Sequence, residues 1–123
     1  MARLLDANAL LRYILCDNME QAERAKAAVD EGAFTIPEVL CECVYVLQGR
    51  YYRFERAEVA ETLLSVLDDV ECERMGAMRR ALELYGGNNL DFVDCILAAS
   101  VESEGWELLT FDKKLAKLVS GTA

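Results

Sequence analysis

The stretch "ARLLDANALLRYILC", residues 2–16, decides the fold class because it joins a short apolar segment to an amphipathic helical one. We interpret residues 2–5 as a strand and residues 7–16 as a helix whose leucines and isoleucine lie on one side. Asp6 stands at the junction between them. An acid in this place is typical of a helix cap, a solvated turn or one corner of a site, so its role depends on the rest of the chain.

The rest of the chain continues to alternate between short apolar segments and helical patterns. The alternation predicts strands at residues 2–5, 33–36, 70–74 and 106–110, of which 70–74 resembles an exposed edge strand. It predicts helices at 7–16, 20–31, 38–48, 55–68, 75–85, 90–104 and 112–118, with Pro37 opening the third helix and a turn at 86–89. Such strands between helices are typical of a parallel sheet covered on both faces. We therefore expect one α/β domain over residues 1–123, with roughly four or five strands and about seven helices.

The composition limits the class of protein. The 123 residues are 54% hydrophobic, which supplies the core of one globular domain. No apolar run approaches the roughly 18 residues of a membrane-spanning helix, and Asp6 comes too early for a signal peptide. The five cysteines include no C-x-x-C pair and there is no histidine, which argues against a zinc site. We therefore expect reduced thiols, a cytoplasmic location and no membrane partner.

The net charge is −9, from 22 acids against 13 bases. This balance argues against a protein that coats nucleic acid through a basic surface, but not against an enzyme whose acids hold divalent cations at a phosphate. The absence of histidine removes the Ser-His and Cys-His arrangements of nucleophilic catalysis. Any chemistry therefore depends on carboxylates, hydroxyls, amines or thiols.

Two acids follow predicted strands at the edge where open parallel sheets bind ligands. Asp6 comes directly after the first strand, and Asp112 comes shortly after residues 106–110. Both also open helices, where aspartate, asparagine and threonine are preferred caps. The same two interpretations, cap or site, apply to Asn8 and Thr110.

Asp94 is harder to explain as a surface residue. On a helix over 90–104 it shares one face with apolar residues such as Leu97 and Ala98, where a carboxylate is costly unless paired or bound to a cation. The alternative is a helix that starts at Asp91, which places Asp94 in a first turn that favours an anion.

Glu42 lies in a nearly apolar helix, although the face that it shares with Glu38 and Tyr45 could simply meet water. Two carboxylates about 5 Å apart repel by roughly 3 kcal/mol at an effective dielectric constant near 20. If Glu42 converges with the three aspartates, the four cannot all stay ionised without cations. The carboxylate oxygens of these acids are ligands that favour Mg²⁺ or Mn²⁺. Such cations assist the in-line attack of water on a phosphodiester. The candidate set is Asp6, Glu42, Asp94 and Asp112.

Four segments together resemble a known family. They are "LLDANALLRYIL" (4–15), "IPEVLCECVYVL" (36–47), "LDFVDCILAAS" (90–100) and "LLTFDKKL" (108–115). In this order and setting they resemble a PIN domain over essentially the whole chain, and most closely the VapC-type toxins of toxin–antitoxin pairs.

The resemblance implies a Mg²⁺- or Mn²⁺-dependent endoribonuclease that cuts RNA, forms a homodimer and is blocked by a cognate antitoxin protein. It maps the acidic quartet of that family onto the four candidate acids, in the same order. Asn8 and Thr110 stand at the small polar positions that support the site, and Asp91 could reach a metal through water.

Two basic clusters offer contacts for RNA or protein. In "RYYRFER" (50–56) arginines alternate with aromatic residues, which can stack on bases or form a protein interface. We favour a helix–helix corner that contacts a second copy or an antitoxin. Lys113, Lys114 and Lys117 follow the last acid and could meet phosphate, although we favour a solvated helix face.

Two other functions remain open. An aspartate after the first strand also suits a phosphatase nucleophile, but the pattern D-x-D-x-T of that class is incomplete in "DANAL" (6–10). The second alternative is a PIN-like module that binds RNA or protein without catalysis.

Overall fold

The computed structural model of the chain describes residues 2–122, which form one α/β domain of three short strands and seven helices. The strands are β1 (Arg3–Leu4), β2 (Ala33–Thr35) and β3 (Glu71–Cys72), paired in parallel in the order β1-β2-β3. The helices are α1 (Ala7–Leu15), α2 (Met19–Asp30), α3 (Pro37–Gln48), α4 (Arg56–Asp69), α5 (Met75–Gly87), α6 (Phe92–Glu104) and α7 (Lys113–Thr122). None of the described helices is long and apolar enough to span a membrane.

Pairs of helices connect successive strands, as parallel pairing requires. In the register, Leu4 lies opposite Phe34, and the pairing continues one residue further because the Leu5 backbone N–H donates to the Phe34 carbonyl at 2.9 Å. The buried Thr35 hydroxyl donates to the Leu5 carbonyl at 3.1 Å. These bonds hold the chain extended up to Asp6, so this acid is placed at the carboxyl end of β1.

The prediction of a strand at 106–110 is wrong, and with it the expectation of four or five strands. In the described chain this segment belongs to no helix or strand, and Trp106 and Leu109 are 57% and 84% exposed. A strand needs a partner for its backbone groups as well as an apolar pattern, and the pattern alone does not specify the partner.

Most helices agree with the sequence-based bounds within one or two residues, and Pro37 opens α3 as predicted. The turn predicted at 86–89 is wrong in its first half, because α5 continues through Gly87. The helix predicted from residue 90 begins instead at Phe92, with Asp91 as its N-cap. The last helix starts one residue later than predicted and is longer, since α7 runs from Lys113 to Thr122.

A single guanidinium joins α4, α5 and the start of α6. The Arg56 Nε donates to the Tyr85 carbonyl at 3.0 Å, its Nη2 donates to the Leu90 carbonyl, and the group lies 3.8 Å from the centroid of the Tyr85 ring. The Tyr85 ring also meets Phe92 edge to face, and its hydroxyl donates to Gln48. The loop that leads into α6 is therefore held from two sides by partly buried groups.

The helices α4 and α5 approach closely at a glycine. A Cβ added at Gly86 would lie 3.0 Å from the Ala60 Cβ and 3.8 Å from the Ala57 Cα, whereas one added at Gly87 would meet nothing within 4 Å. The absence of a side chain at Gly86 thus allows α5 to pack directly on α4.

We predict that Gly86→Ala destabilises the protein by about 1 kcal/mol, because the added methyl group overpacks the contact between the two helices. Gly87→Ala is the matched control, and it should be neutral or stabilising by up to about 1 kcal/mol because alanine favours helix more than glycine does. Urea denaturation measures both changes. Equal effects of the two substitutions would contradict the close packing at Gly86.

Candidate active site

Asp6 caps α1, as one sequence-based interpretation predicted. Its Oδ1 accepts a hydrogen bond from the Ala9 backbone N–H at 2.9 Å, and the side chain is exposed. A carboxylate has two oxygens, so the cap leaves Oδ2 free to accept from another group. Asn8 lies next to it in the first turn of α1 and is also exposed. The cap and ligand interpretations of Asp6 are therefore compatible.

Asp112 has the same arrangement at the start of α7. Its Oδ1 accepts from the Leu115 backbone N–H at 2.9 Å, and its own N–H donates to the Thr110 hydroxyl at 3.1 Å. Thr110 thus orients the backbone that carries the acid. The second oxygen of Asp112 remains available, as it does in Asp6.

Asp94 is the third residue of α6 and lies in its first turn, as the alternative interpretation predicted, although the helix begins at Phe92 with Asp91 as its N-cap. The apolar face predicted around it is only partly buried, since Ala98 is buried but Leu97 is 38% exposed. Burial raises the pKa of Asp94, and the negative charges of Asp112 and then Asp91 raise it further. The structure therefore brings these three carboxylates into one electrostatic neighbourhood.

Glu42 and Asp6 share a different neighbour, the buried thiol of Cys43 on α3. Burial, followed by the charges of Glu42 and Asp6, raises the pKa of this thiol to about 12. The Cys43 Sγ lies 4.0 Å from the Ala7 carbonyl, across the contact between α3 and α1. The exposed Glu42 and Asp6 thus flank one buried group that stays protonated and cannot itself serve as a thiolate ligand.

Electrostatic interactions thus link Asp94 with Asp112, and both Asp6 and Glu42 act on Cys43. Among residues 2–122 no three carboxylates or thiols are gathered closely enough to hold a metal ion. The chemistry of the donors nevertheless fits Mg²⁺ or Mn²⁺, because all four are carboxylates. A cation would also neutralise the repulsion that raises the pKa of Asp94.

The comparison with protein families decides the class. Residues 3–120 match the PIN domain. The chain belongs to the PIN domain family. PIN domains are a family of nucleases, and PIN nucleases typically use divalent metals. Neither a curated protein nor a solved structure gives a significant match to the chain.

The basic cluster at 50–56 forms the corner between α3 and α4, as predicted, but part of it is engaged within this PIN domain. Arg56 is bound to the Tyr85 and Leu90 carbonyls, and the Arg53 Nε donates to the Arg50 carbonyl at 3.0 Å. The Arg56 guanidinium is therefore not a free stacking platform for RNA, whereas Arg53 is exposed and makes one local hydrogen bond.

The lysines of α7 are exposed, and one of them makes a local contact. The Lys114 Nζ donates to the Asn89 carbonyl at 3.2 Å, which ties α7 to the loop before α6. This position agrees with the solvated helix face that we favoured for the cluster.

Reasoning from the sequence missed a group of arginines beside Asp6. Arg3, Arg12 and Arg24 line one groove with this acid, although they come from β1, α1 and α2. No spacing rule within a single element could have brought these three together.

We predict that Asp94→Asn stabilises the metal-free protein near neutral pH, by less than about 1 kcal/mol because the side chain is only partly buried. A carboxyl group whose pKa is raised by folding contributes stability at low pH and loses it as the pH rises through the raised pKa. The gain should therefore vanish below about pH 3.8, where the wild-type group is neutral in both states. Thermal denaturation in EDTA, at neutral pH and again below about pH 3.8, measures the difference in stability between Asp94→Asn and wild type.

Glu58→Gln is the matched control, because Glu58 is the third residue of α4 as Asp94 is of α6. Glutamine at position 58 can keep the hydrogen bond of the capping box at the start of α4. This variant therefore tests only the loss of a negative charge in the first turn of a helix. It should not stabilise the protein. A lower melting temperature for Asp94→Asn than for wild type in EDTA would contradict the repulsion around Asp94.

Proposed function

We propose that this PIN domain is a Mg²⁺- or Mn²⁺-dependent endoribonuclease and the toxin of a toxin–antitoxin pair. The observation that carries the nuclease proposal is the position of Asp94, partly buried and facing the charges of Asp112 and Asp91. Such a cluster costs free energy in a protein that binds no cation, so its presence supports a functional role.

Asp6, Glu42, Asp94 and Asp112 would hold the cation, with Asn8, Thr110 and Asp91 as supporting residues. When bound, the cation supplies positive charge opposite a phosphodiester and makes an attacking water more acidic. The Oδ1 atoms of Asp6 and Asp112 keep the backbone of α1 and α7 in place, so their Oδ2 atoms would be available to the cation.

The amide of Asn8 has N–H donors that can meet a non-bridging phosphate oxygen. No histidine is required for these steps.

The toxin proposal rests on the resemblance of the four quoted segments to VapC-type toxins. We propose that the protein forms a homodimer and binds a cognate antitoxin. Exposed apolar side chains on α3 and α6 support a protein interface, since Tyr45 is 83% and Val93 is 55% exposed. We propose a cytoplasmic location, where RNA is available and the five free cysteines stay reduced.

We predict that Asp6→Asn and Asp94→Asn each lower Mg²⁺-dependent RNA cleavage by about 100-fold or more, because each removes a negative charge that would hold the cation at the phosphodiester. Asp30→Asn is the control, since Asp30 is exposed on α2 and its carboxylate pairs with Lys26 at 3.0 Å. Cleavage of labelled RNA is measured alongside circular dichroism, which should show the same fold in all variants.

Undiminished cleavage by the two site variants would sink the assignment of these acids. A wild-type protein that neither cleaves RNA nor binds Mg²⁺ or Mn²⁺ in calorimetry would instead indicate a binding module with an inactive site.

The toxin role predicts that expression of the wild-type chain arrests growth and that Asp94→Asn does not, because the arrest depends on RNA cleavage. If a small reading frame lies next to the gene, its co-expression should relieve the arrest. Growth curves with and without induction measure both effects. Normal growth at high expression of an enzyme that cleaves RNA in vitro would count against a toxin and leave the nuclease proposal in place.

A further inference from the structure

A groove of about 450 Å³ opens beside Asp6, between the end of β1 and the helices α1 and α2. Three arginines line it, and each comes from a different one of these elements: Arg3, Arg12 and Arg24. The chain as a whole has a net charge of −9, so a groove with three guanidinium groups differs in character from the average surface. The same groove contains Asp6 and Asn8 of the candidate site.

Arg24 has no ion pair or hydrogen bond of its side chain within residues 2–122, and it is exposed. Arg3 pairs with Glu31 at 3.3 Å, but both side chains are well exposed, and such surface pairs contribute little. Either guanidinium can therefore turn to an anion in the groove at small cost. A guanidinium offers two parallel N–H donors, which match the oxygens of a phosphate.

Arg12 is held in a fixed position. Its Nη1 donates to Asp17 at 2.8 Å and its Nε donates to Gln21 at 2.7 Å. These bonds tie α1 to the start of α2 and leave Nη2 with free N–H groups. Arg12 thus forms a rigid part of the groove, with donors left for a ligand.

Besides Gln21 and Arg24, the wall that α2 contributes consists of alanines, namely Ala25, Ala27 and Ala28. Their side chains are short, so the backbone of an extended ligand can approach the helix closely. Small apolar side chains between arginines suit a sugar–phosphate chain, which presents apolar ribose faces between its charges. The wall offers no aromatic side chain on which a base could stack.

We propose that this groove binds the phosphodiester backbone of single-stranded RNA next to the bond that is cut. The inference rests on the proposed ribonuclease function, since it places the strand so that one end of the bound segment lies at Asp6. Arg24 and Arg3 contact phosphates, and Arg12 shapes the groove between them. The contacts are to the backbone, so they add affinity for RNA of any sequence.

The test compares Arg24→Gln with Lys26→Gln, both in the Asp94→Asn protein so that the RNA stays intact. Lys26 lies on the same helix, is exposed and does not line the groove, so it controls for the loss of one positive charge. The probe is a fluorescently labelled single-stranded RNA of mixed sequence, followed by anisotropy at several concentrations of monovalent salt.

Arg24→Gln should weaken RNA binding by about threefold to tenfold at low salt. It should also make the plot of log binding constant against log salt concentration shallower by about 0.7 in slope, because one phosphate contact is lost. Arg24→Lys should restore most of the affinity because it keeps the charge. Lys26→Gln should change neither the affinity nor the slope.

Unchanged affinity and slope for Arg24→Gln would overturn the proposal and assign the groove to another ligand, such as an acidic segment of a partner protein. An equal loss in Lys26→Gln would also overturn it, because only the net charge would then matter. The readout is binding by a protein that does not cut RNA. A wild type without Mg²⁺-dependent cleavage would therefore contradict the proposed function, and the Arg24 comparison would still decide the groove.

Discussion

The start of α6 depends on the guanidinium of Arg56. It binds the carbonyl of Tyr85 at the end of α5 and the carbonyl of Leu90 just before α6, while its face lies on the Tyr85 ring. Buried carbonyls without donors are costly, so one arginine satisfies two of them at the point where the chain reverses. Asp94 follows within one helical turn, and its position therefore depends on a residue that takes no part in the chemistry.

The site itself works against stability. Asp94 is partly buried and faces two other negative charges, which raises its pKa. In a chain that needed only to fold, the repulsion around Asp94 would be unfavourable. The helix caps formed by Asp6 and Asp112 each need only one acid, with no other acid nearby. The cost is understandable if a cation offsets the repulsion, as the nuclease activity of the PIN family and its typical use of divalent metals suggest.

Much of the fold could be predicted because periodicity and local stop signals are properties of short segments. The helices around Leu10, Leu40 and Leu63 bury the faces that their apolar spacing predicts, and Pro37 begins α3 as expected. The segment at 106–110 could not be predicted correctly, because its apolar residues do not reveal whether another strand will pair with them. The start of α6 was ambiguous for a similar reason, since Leu90 fits a helix pattern while its carbonyl is bound by a residue far away in the chain.

The sequence by itself determined the alternation of the first three strands with helices, the position of Asp6 after a strand, the acids at helix starts, and the resemblance to PIN domains. These features are local, and each depends on spacing or on a preference of one residue type. The tertiary structure alone decided which acids face one another, how Arg56 is used and which arginines line the groove beside Asp6. Electrostatic effects and solvent exposure depend on the distances between elements. Those distances are set when the elements pack, and the separation of residues along the sequence does not reveal them.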